Sequence, residues 1–124
     1  MIRFAVAAVA VLSLSACAKQ VKAPEQADAC FEAVPHQDGG FTFNLLSAHE
    51  ATMESCAAAL EGMRERFLAL GGGNHQIMGV YNGTYLFLDA GGVLSSQSVD
   101  GMRFPFLVRS GDGRLVAPGA VQTQ

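Results

Sequence analysis

Residues 77–89 read Ile-Met-Gly-Val-Tyr-Asn-Gly-Thr-Tyr-Leu-Phe-Leu-Asp. Asn82-Gly83 separates two apolar runs, 75–81 and 84–89. A type I′ turn needs positive φ at both central residues, and Asn-Gly meets that demand at low cost. The stretch therefore predicts a β-hairpin with Tyr81 opposite Thr84. Side chains alternate along a strand, so Ile77, Gly79, Tyr81, Leu86 and Leu88 share one face. Gln76, Met78, Val80, Tyr85 and Phe87 share the other. Both faces are largely apolar, whereas a sheet with one wet face alternates cleanly between apolar and polar. Each face of this hairpin is thus expected to need a cover.

One cover is legible upstream. Met53, Cys56, Ala57, Leu60, Met63 and Phe67 recur at spacings of three and four, which predicts a helix over 48–69 with one apolar stripe. Glu54, Glu61, Glu65 and Arg66 lie off that stripe. Ser47 and Glu50 have the spacing of a capping box. The glycines at 71–73 supply a stop, because glycine takes the left-handed conformation cheaply. Ahead of the helix, Phe41-Thr42-Phe43-Asn44-Leu45 alternates as a strand does. A second hairpin is expected from 103–109 and 114–117 around Ser110-Gly111-Asp112-Gly113, with 91–101 as a loop. The fold class is α+β: a small, mostly antiparallel sheet built from a strand, a helix and two hairpins, with the one helix packed on a face.

One helix covers one face. For the other, the segment 30–40 is expected to fold back, with Phe31, Val34 and Pro35 as cover. The competing expectation is a docking surface made by Met78, Val80, Tyr85 and Phe87, open to a partner or a second copy.

Composition excludes some function classes. The chain has 124 residues, 11 acidic and 8 basic, with a formal charge of −3. A nucleic-acid binder would carry a basic stripe, and none is present. Such a length allows one domain with a small core. The 14 glycines suit tight turns between short elements. The stretch 18–29 contains one Pro, four charges and little to bury, and is expected to be a flexible tether.

The amino terminus begins Met-Ile-Arg and continues as an apolar run from Phe4 to Ala16. A hydrocarbon core needs roughly 20 apolar residues to be spanned, so this run is too short. A positive start, a short apolar middle and small residues at the end fit a secretory signal peptide. Leu14-Ser15-Ala16-Cys17 resembles the lipobox of bacterial lipoproteins, a resemblance confined to residues 1–17. It implies a diacylglycerol on the Cys17 thiol, cleavage before Cys17, and attachment to membrane through lipid, with two or three acyl chains sufficing for a firm anchor. In enterobacterial lipoproteins a residue other than Asp after the cysteine, here Ala18, directs the protein to the outer membrane. The expected layout is a lipoprotein signal peptide (1–16), lipidated Cys17 and tether (17–29), one domain (30–118) and a tail (119–124), facing the periplasm.

That placement bears on Cys30 and Cys56. Outside the reducing cytoplasm, two leftover thiols usually pair, and a Cys30–Cys56 disulfide is expected. The alternatives are two free buried thiols or a catalytic Cys56, for which nothing in the local sequence resembles a cysteine-protease signature. His36, His49 and His75 have no second histidine at metal-ligand spacing, so no metal site is expected. Leu-Gly-Gly-Gly-Asn-His-Gln over 70–76 follows a helix and lacks a lysine, unlike a phosphate loop. Asp112 lacks the companion carboxylates of a calcium loop. No catalytic motif and no cofactor site are legible. Arg103, Arg109 and Arg114 fall on or beside the last hairpin. Arg103 and Arg109 are expected opposite Phe104, Phe106 and Val108, and the three form a candidate patch for carboxylates or phosphates. Solvated charges guarding strand edges are the competing reading.

The leading functional expectation is a periplasm-facing lipoprotein that binds or scaffolds an envelope assembly, through an envelope protein partner or self-association. The alternative is an inhibitor or immunity-type lipoprotein acting on an envelope enzyme such as a lysozyme-like hydrolase, through a protruding loop at 91–101. An envelope enzyme ranks third.

Overall fold

The computed structural model describes residues 21–72 and 76–120. The expected signal peptide, Cys17, His75 and the last four residues of the expected tail lie outside them. Seven strands form one sheet: β1 (Cys30–Pro35), β2 (Phe41–Ser47), β3 (Ile77–Tyr81), β4 (Thr84–Asp89), β5 (Gly92–Ser96), β6 (Phe104–Arg109) and β7 (Leu115–Val116). One α-helix among the described residues, α1 (Met53–Ala69), lies between β2 and β3 in the chain. The order across the sheet is β2-β1-β3-β4-β5-β6-β7, and every neighbouring pair is antiparallel. The class is α+β.

The β3–β4 hairpin has the register its sequence predicts: Tyr81 faces Thr84 and Ile77 faces Leu88. Asn82 and Gly83 take φ of 46° and 79°, as a type I′ turn requires. The helix contains the whole apolar stripe but starts at Met53, five residues later than expected. Thr52, not Ser47, is the N-cap: its side chain accepts from the Ser55 amide, and the Ser55 hydroxyl accepts from the Thr52 amide. Ser47 cannot cap because it ends β2, paired with Cys30. At the other end Gly71 takes φ +81°, its amide donates to Leu68 O, and that of Gly72 donates to Phe67 O. This is a Schellman motif, closed by the glycines that predicted it.

Two strands have no counterpart in the sequence reading. The segment 30–35 is not a cover for the sheet but part of it, inserted as β1 between β2 and β3. Within the expected loop 91–101, Gly92–Ser96 forms β5, a strand internal to the sheet. Its glycine and serines carry little intrinsic strand preference; its pairing on both sides overrides that.

Two apolar clusters lie on opposite faces. On the helix side Cys56, Ala57 and Leu60 pack with Cys30, Ile77, Tyr81, Leu86, Leu88, Val93 and Leu107. Gly79 lets α1 come close: a Cβ there would stand 2.3 Å from Leu60 Cδ1. On the far side Phe31, Ala33, Val80, Tyr85 and Phe87 form the second cluster, flanked by Phe41, Phe43, Met78 and Leu94.

Candidate functional site

The far face of the β3–β4 hairpin was one of two candidate surfaces, and it is closed. Val80, Tyr85 and Phe87 are buried, and Met78 is half-buried. The covers come from elsewhere than residues 30–40. Ala23 and Val99 pack against the cluster. The Arg103 guanidinium carbon stands 3.6 Å from the centroid of the Phe87 ring, a cation–π contact. Part of the stretch expected as tether thus rests on the sheet, and Ala29 at its end is fully buried. The Tyr85 hydroxyl is buried there without a hydrogen-bond partner, and burial pushes its pKa up.

A polar knot fixes the start of the domain. Tyr81 Oη donates to Glu50 O at 2.7 Å and lies 3.3 Å from the Asp28 carboxylate. The Asp28 amide donates to the Asn82 side chain at 2.8 Å. Burial first, then the Asp28 charge, hold the Tyr81 phenol above its ordinary pKa. These bonds tie the entry to β1, the helix approach and the Asn-Gly turn together.

The arginine patch does not form. Arg103 lies on the far face, over Phe87. Arg109 turns to the helix face, where its Nη2 is 2.8 Å from Glu61 Oε1. It also donates to three carbonyls, those of Ala90 at 2.9 Å, Asp89 at 2.8 Å and Gly113 at 3.2 Å. Arg114 pairs with Asp112 at 2.7 Å. The physical reason is a bulge. Val93 faces Leu107 but Leu94 faces Pro105, so Phe106 is an extra residue in β6. One extra residue exchanges the faces beyond it, which separates Arg103 from Arg109.

Glu61 is expected off the apolar stripe, yet it is buried with Arg64. Burying a carboxylate is costly unless it is paired; Arg64 Nη1 at 3.2 Å and Arg109 at 2.8 Å are its partners. Glu61 Oε2 is left without a hydrogen bond. The cluster joins α1 to the β4–β5 and β6–β7 turns. At the last turn the Asp112 carboxylate accepts from the Ser110 hydroxyl and then from the Arg114 amide, which lower its pKa to about 2.

The disulfide is present: Cys30 and Cys56 are bonded, with Cα atoms 5.3 Å apart. It ties β1 to α1 across the helix-side core, and it consumes both thiols, so Cys56 offers no free nucleophile in this state. Among the described residues no three His, Cys, Asp or Glu side chains come together to hold a metal ion. A cavity of about 160 Å³ lies between β1, β3 and the end of α1. Glu32, Val34, Phe67, Gln76 and Met78 are among its lining residues.

What remains exposed is apolar in three places. Leu45 on β2 is 53% exposed, Phe67 and Leu70 stand out at the end of α1, and Met102 and Phe104 flank Arg103. The expected protruding loop at 91–101 is reduced to 97–101, folded onto the sheet by Val99 and by the Ser96 hydroxyl, which donates to Ser98 O at 2.7 Å. No helix among the described residues is long and apolar enough to cross a membrane. No family model matches this chain, and no curated protein or solved structure matches it either.

Proposed function

We propose that this chain is a lipid-anchored envelope lipoprotein whose small domain faces the periplasm and acts as a binding or structural component of an envelope assembly. The observation that carries the reading is the division of the three cysteines. Cys30 and Cys56 are joined, as suits an oxidising compartment, while Cys17 stands within Leu-Ser-Ala-Cys at the end of a short apolar run. Export and acylation account for both halves of that division. The binding role draws support from Met102 and Phe104, large apolar side chains left exposed on either side of Arg103 in the chain. The exposed contact surface is then at 102–104, not at Met78, Val80, Tyr85 and Phe87.

Two measurements on the full chain in cells test it. Mass spectrometry of the wild type should find Cys17 at the amino terminus carrying acyl chains, and Cys17→Ser should yield an uncleaved or soluble form without acyl mass. A photo-crosslinker at position 104 should yield a discrete heavier band whose partner is an envelope protein. A wild-type chain with unmodified Cys17 overturns the anchor. Correctly anchored protein with no band from 104 overturns the contact surface.

A further inference from the structure

We propose that β2 is a self-association edge, at which two copies of this chain pair strand to strand, antiparallel, about a twofold axis at Asn44. The proposal stands on the sheet alone and does not depend on the lipid anchor.

The two ends of the sheet are unlike. An edge strand presents a row of unpaired N–H and C=O groups, and proteins blunt such edges with short strands, charges, proline or bulges. At one end β7 is two residues long, with Arg114 before it and Pro118 two residues after. At the other end β2 runs for seven residues, Phe-Thr-Phe-Asn-Leu-Leu-Ser, with no charge and no proline. Its one irregularity is Leu46, an extra residue of β2 between the Phe31–Leu45 and Cys30–Ser47 pairs, so the regular part of the edge is 41–45. β2 closes the strand order, so no strand among the described residues pairs with its outer side.

The occupant follows from charge, register and closure. A strand with no charge meets a copy of itself without repulsion. Phe41, Phe43 and Leu45 face Pro35, Ala33 and Phe31 across the β1 ladder. Phe31 and Ala33 belong to the far-face cluster, so this row continues that cluster to the edge of the sheet. There it stops at Leu45, which is 53% exposed. A twofold axis perpendicular to the sheet keeps each face on its own side. With that axis at Asn44, Leu45 of one copy lies opposite Phe43 of the other, and the same contact recurs on the second side of the axis. Each Leu45 gains a cover, and the two far-face clusters merge. Thr42 and Asn44, both exposed, meet Leu46 and Asn44 of the second copy. An isologous pair of this kind is closed. At the other end β7 pairs only with Val108 and Arg109, and Pro105 interrupts the uncovered part of β6, so no second long regular edge remains from which a filament could grow. A seven-residue edge buries less than the roughly 1,200 Å² of a stable interface, so the free chain should dimerise weakly and in proportion to concentration.

Cysteine scanning along β2 in the full-length chain, oxidised in membranes, tests this. The variants are Thr42→Cys, Phe43→Cys, Asn44→Cys, Leu45→Cys and Leu46→Cys. A disulfide needs Cα atoms about 4.4–6.8 Å apart. With the axis at Asn44, two copies of position 44 satisfy that. Positions 42 and 46 lie four residues from their own copies, about 13 Å at roughly 3.3 Å per residue. Asn44→Cys should give a linked dimer at least fivefold above Thr42→Cys and Leu46→Cys. Peptide mapping should find the 44–44 bond and Cys30–Cys56 intact. Adding Leu45→Lys should cut that dimer at least fivefold. Equal bands at every position, no band at 44, a bond from 44 to Cys17, or a bond to another protein would each overturn the proposal. Sedimentation of the unmutated chain in detergent is independent of any cysteine variant. A monomer–dimer equilibrium weakened at least tenfold by Leu45→Lys supports it, and monomer at every concentration overturns it.

Discussion

Gly79→Ala should destabilise this domain, and the reason is a distance rather than a dihedral angle. Gly79 is not among the positive-φ glycines, so alanine meets no backbone strain. A Cβ at that position would lie 2.3 Å from Leu60 Cδ1, 3.0 Å from Leu60 Cδ2 and 3.0 Å from Phe31 O. Carbon atoms settle about 3.5–4.0 Å apart, so Leu60 must rotate or α1 must lift from β3. Leu60 is fully buried among Cys56, Ala57 and the strand residues, which leaves its methyl groups no open space. Overpacking of this kind costs about 1–3 kcal/mol. The stiffer unfolded chain returns about 0.4–1 kcal/mol, leaving a net loss of about 1.3 kcal/mol from the middle of the two ranges. Urea unfolding under non-reducing conditions, followed by circular dichroism, measures it. Leu60→Ala alone should cost about 2–5 kcal/mol through the cavity it leaves. In the double variant the new methyl fills part of that cavity. The pair should therefore cost less than the sum of the two by at least about 0.5 kcal/mol, the lower end of the coupling expected for touching residues. A neutral or stabilising Gly79→Ala would refute the close approach of helix to sheet. Strict additivity would refute Leu60 as the group that is displaced.

The other predictions concern cross-links and charge. Neither Cys30 nor Cys56 should alkylate in the unreduced, denatured protein, and reduction should cost about 3.5 kcal/mol by the chain-entropy relation for a sequence separation of 26. Arg109→Met leaves Glu61 short of its nearest partner and frees three carbonyls. It should cost about 3 kcal/mol, as breaking a buried pair does, and Glu61→Leu in that background should recover part of the loss in the same urea assay. The Asp112 carboxyl should titrate near 2 by NMR, below its ordinary 3.8. Since its folded pKa is depressed, its contribution to the last turn is whole above about pH 4 and is lost as pH falls through 2. Ser110→Ala, which removes the first cause of that shift, should move the midpoint up.

The parts of this fold that were legible in the chain are those whose signals are local. Asn82-Gly83 set the register of β3 and β4 down to the Tyr81–Thr84 pair, because turn type fixes register. The Gly71–Gly72 stop appears as a Schellman motif for the same reason. The helix stripe named the buried Cys56, Ala57 and Leu60, while the cap was misplaced by five residues because both Ser47 and Thr52 have the right chemistry. β5 was not legible: Gly-Val-Leu-Ser-Ser owes its strand to β4 on one side and β6 on the other. β1 was visible as apolar residues, but nothing local told a strand inside the sheet from a segment lying over it.

The two candidate surfaces failed for different physical reasons, and the difference says what sequence patterning can carry. The far face of the hairpin was correctly read as apolar; what patterning could not supply was its cover. Arg103 closes Phe87 with a guanidinium, a residue type that reads as surface in any hydrophobic count. The arginine patch failed through parity. Alternation assigns faces only while each residue has one partner, and Phe106 has none of its own between Val93–Leu107 and Leu94–Pro105. One unpaired residue sends Arg103 to the aromatic cluster and Arg109 to Glu61. That slip also resolves the burial of Glu61. A carboxylate off the apolar stripe becomes tolerable inside only because a bulge on β6, some 45 residues downstream in the chain, aims a cation at it. The ladder of β2 with β1, by contrast, keeps parity from Pro35–Phe41 through Phe31–Leu45. Its exposed Leu45 is therefore assigned to a definite face, the one that carries Phe41 and Phe43.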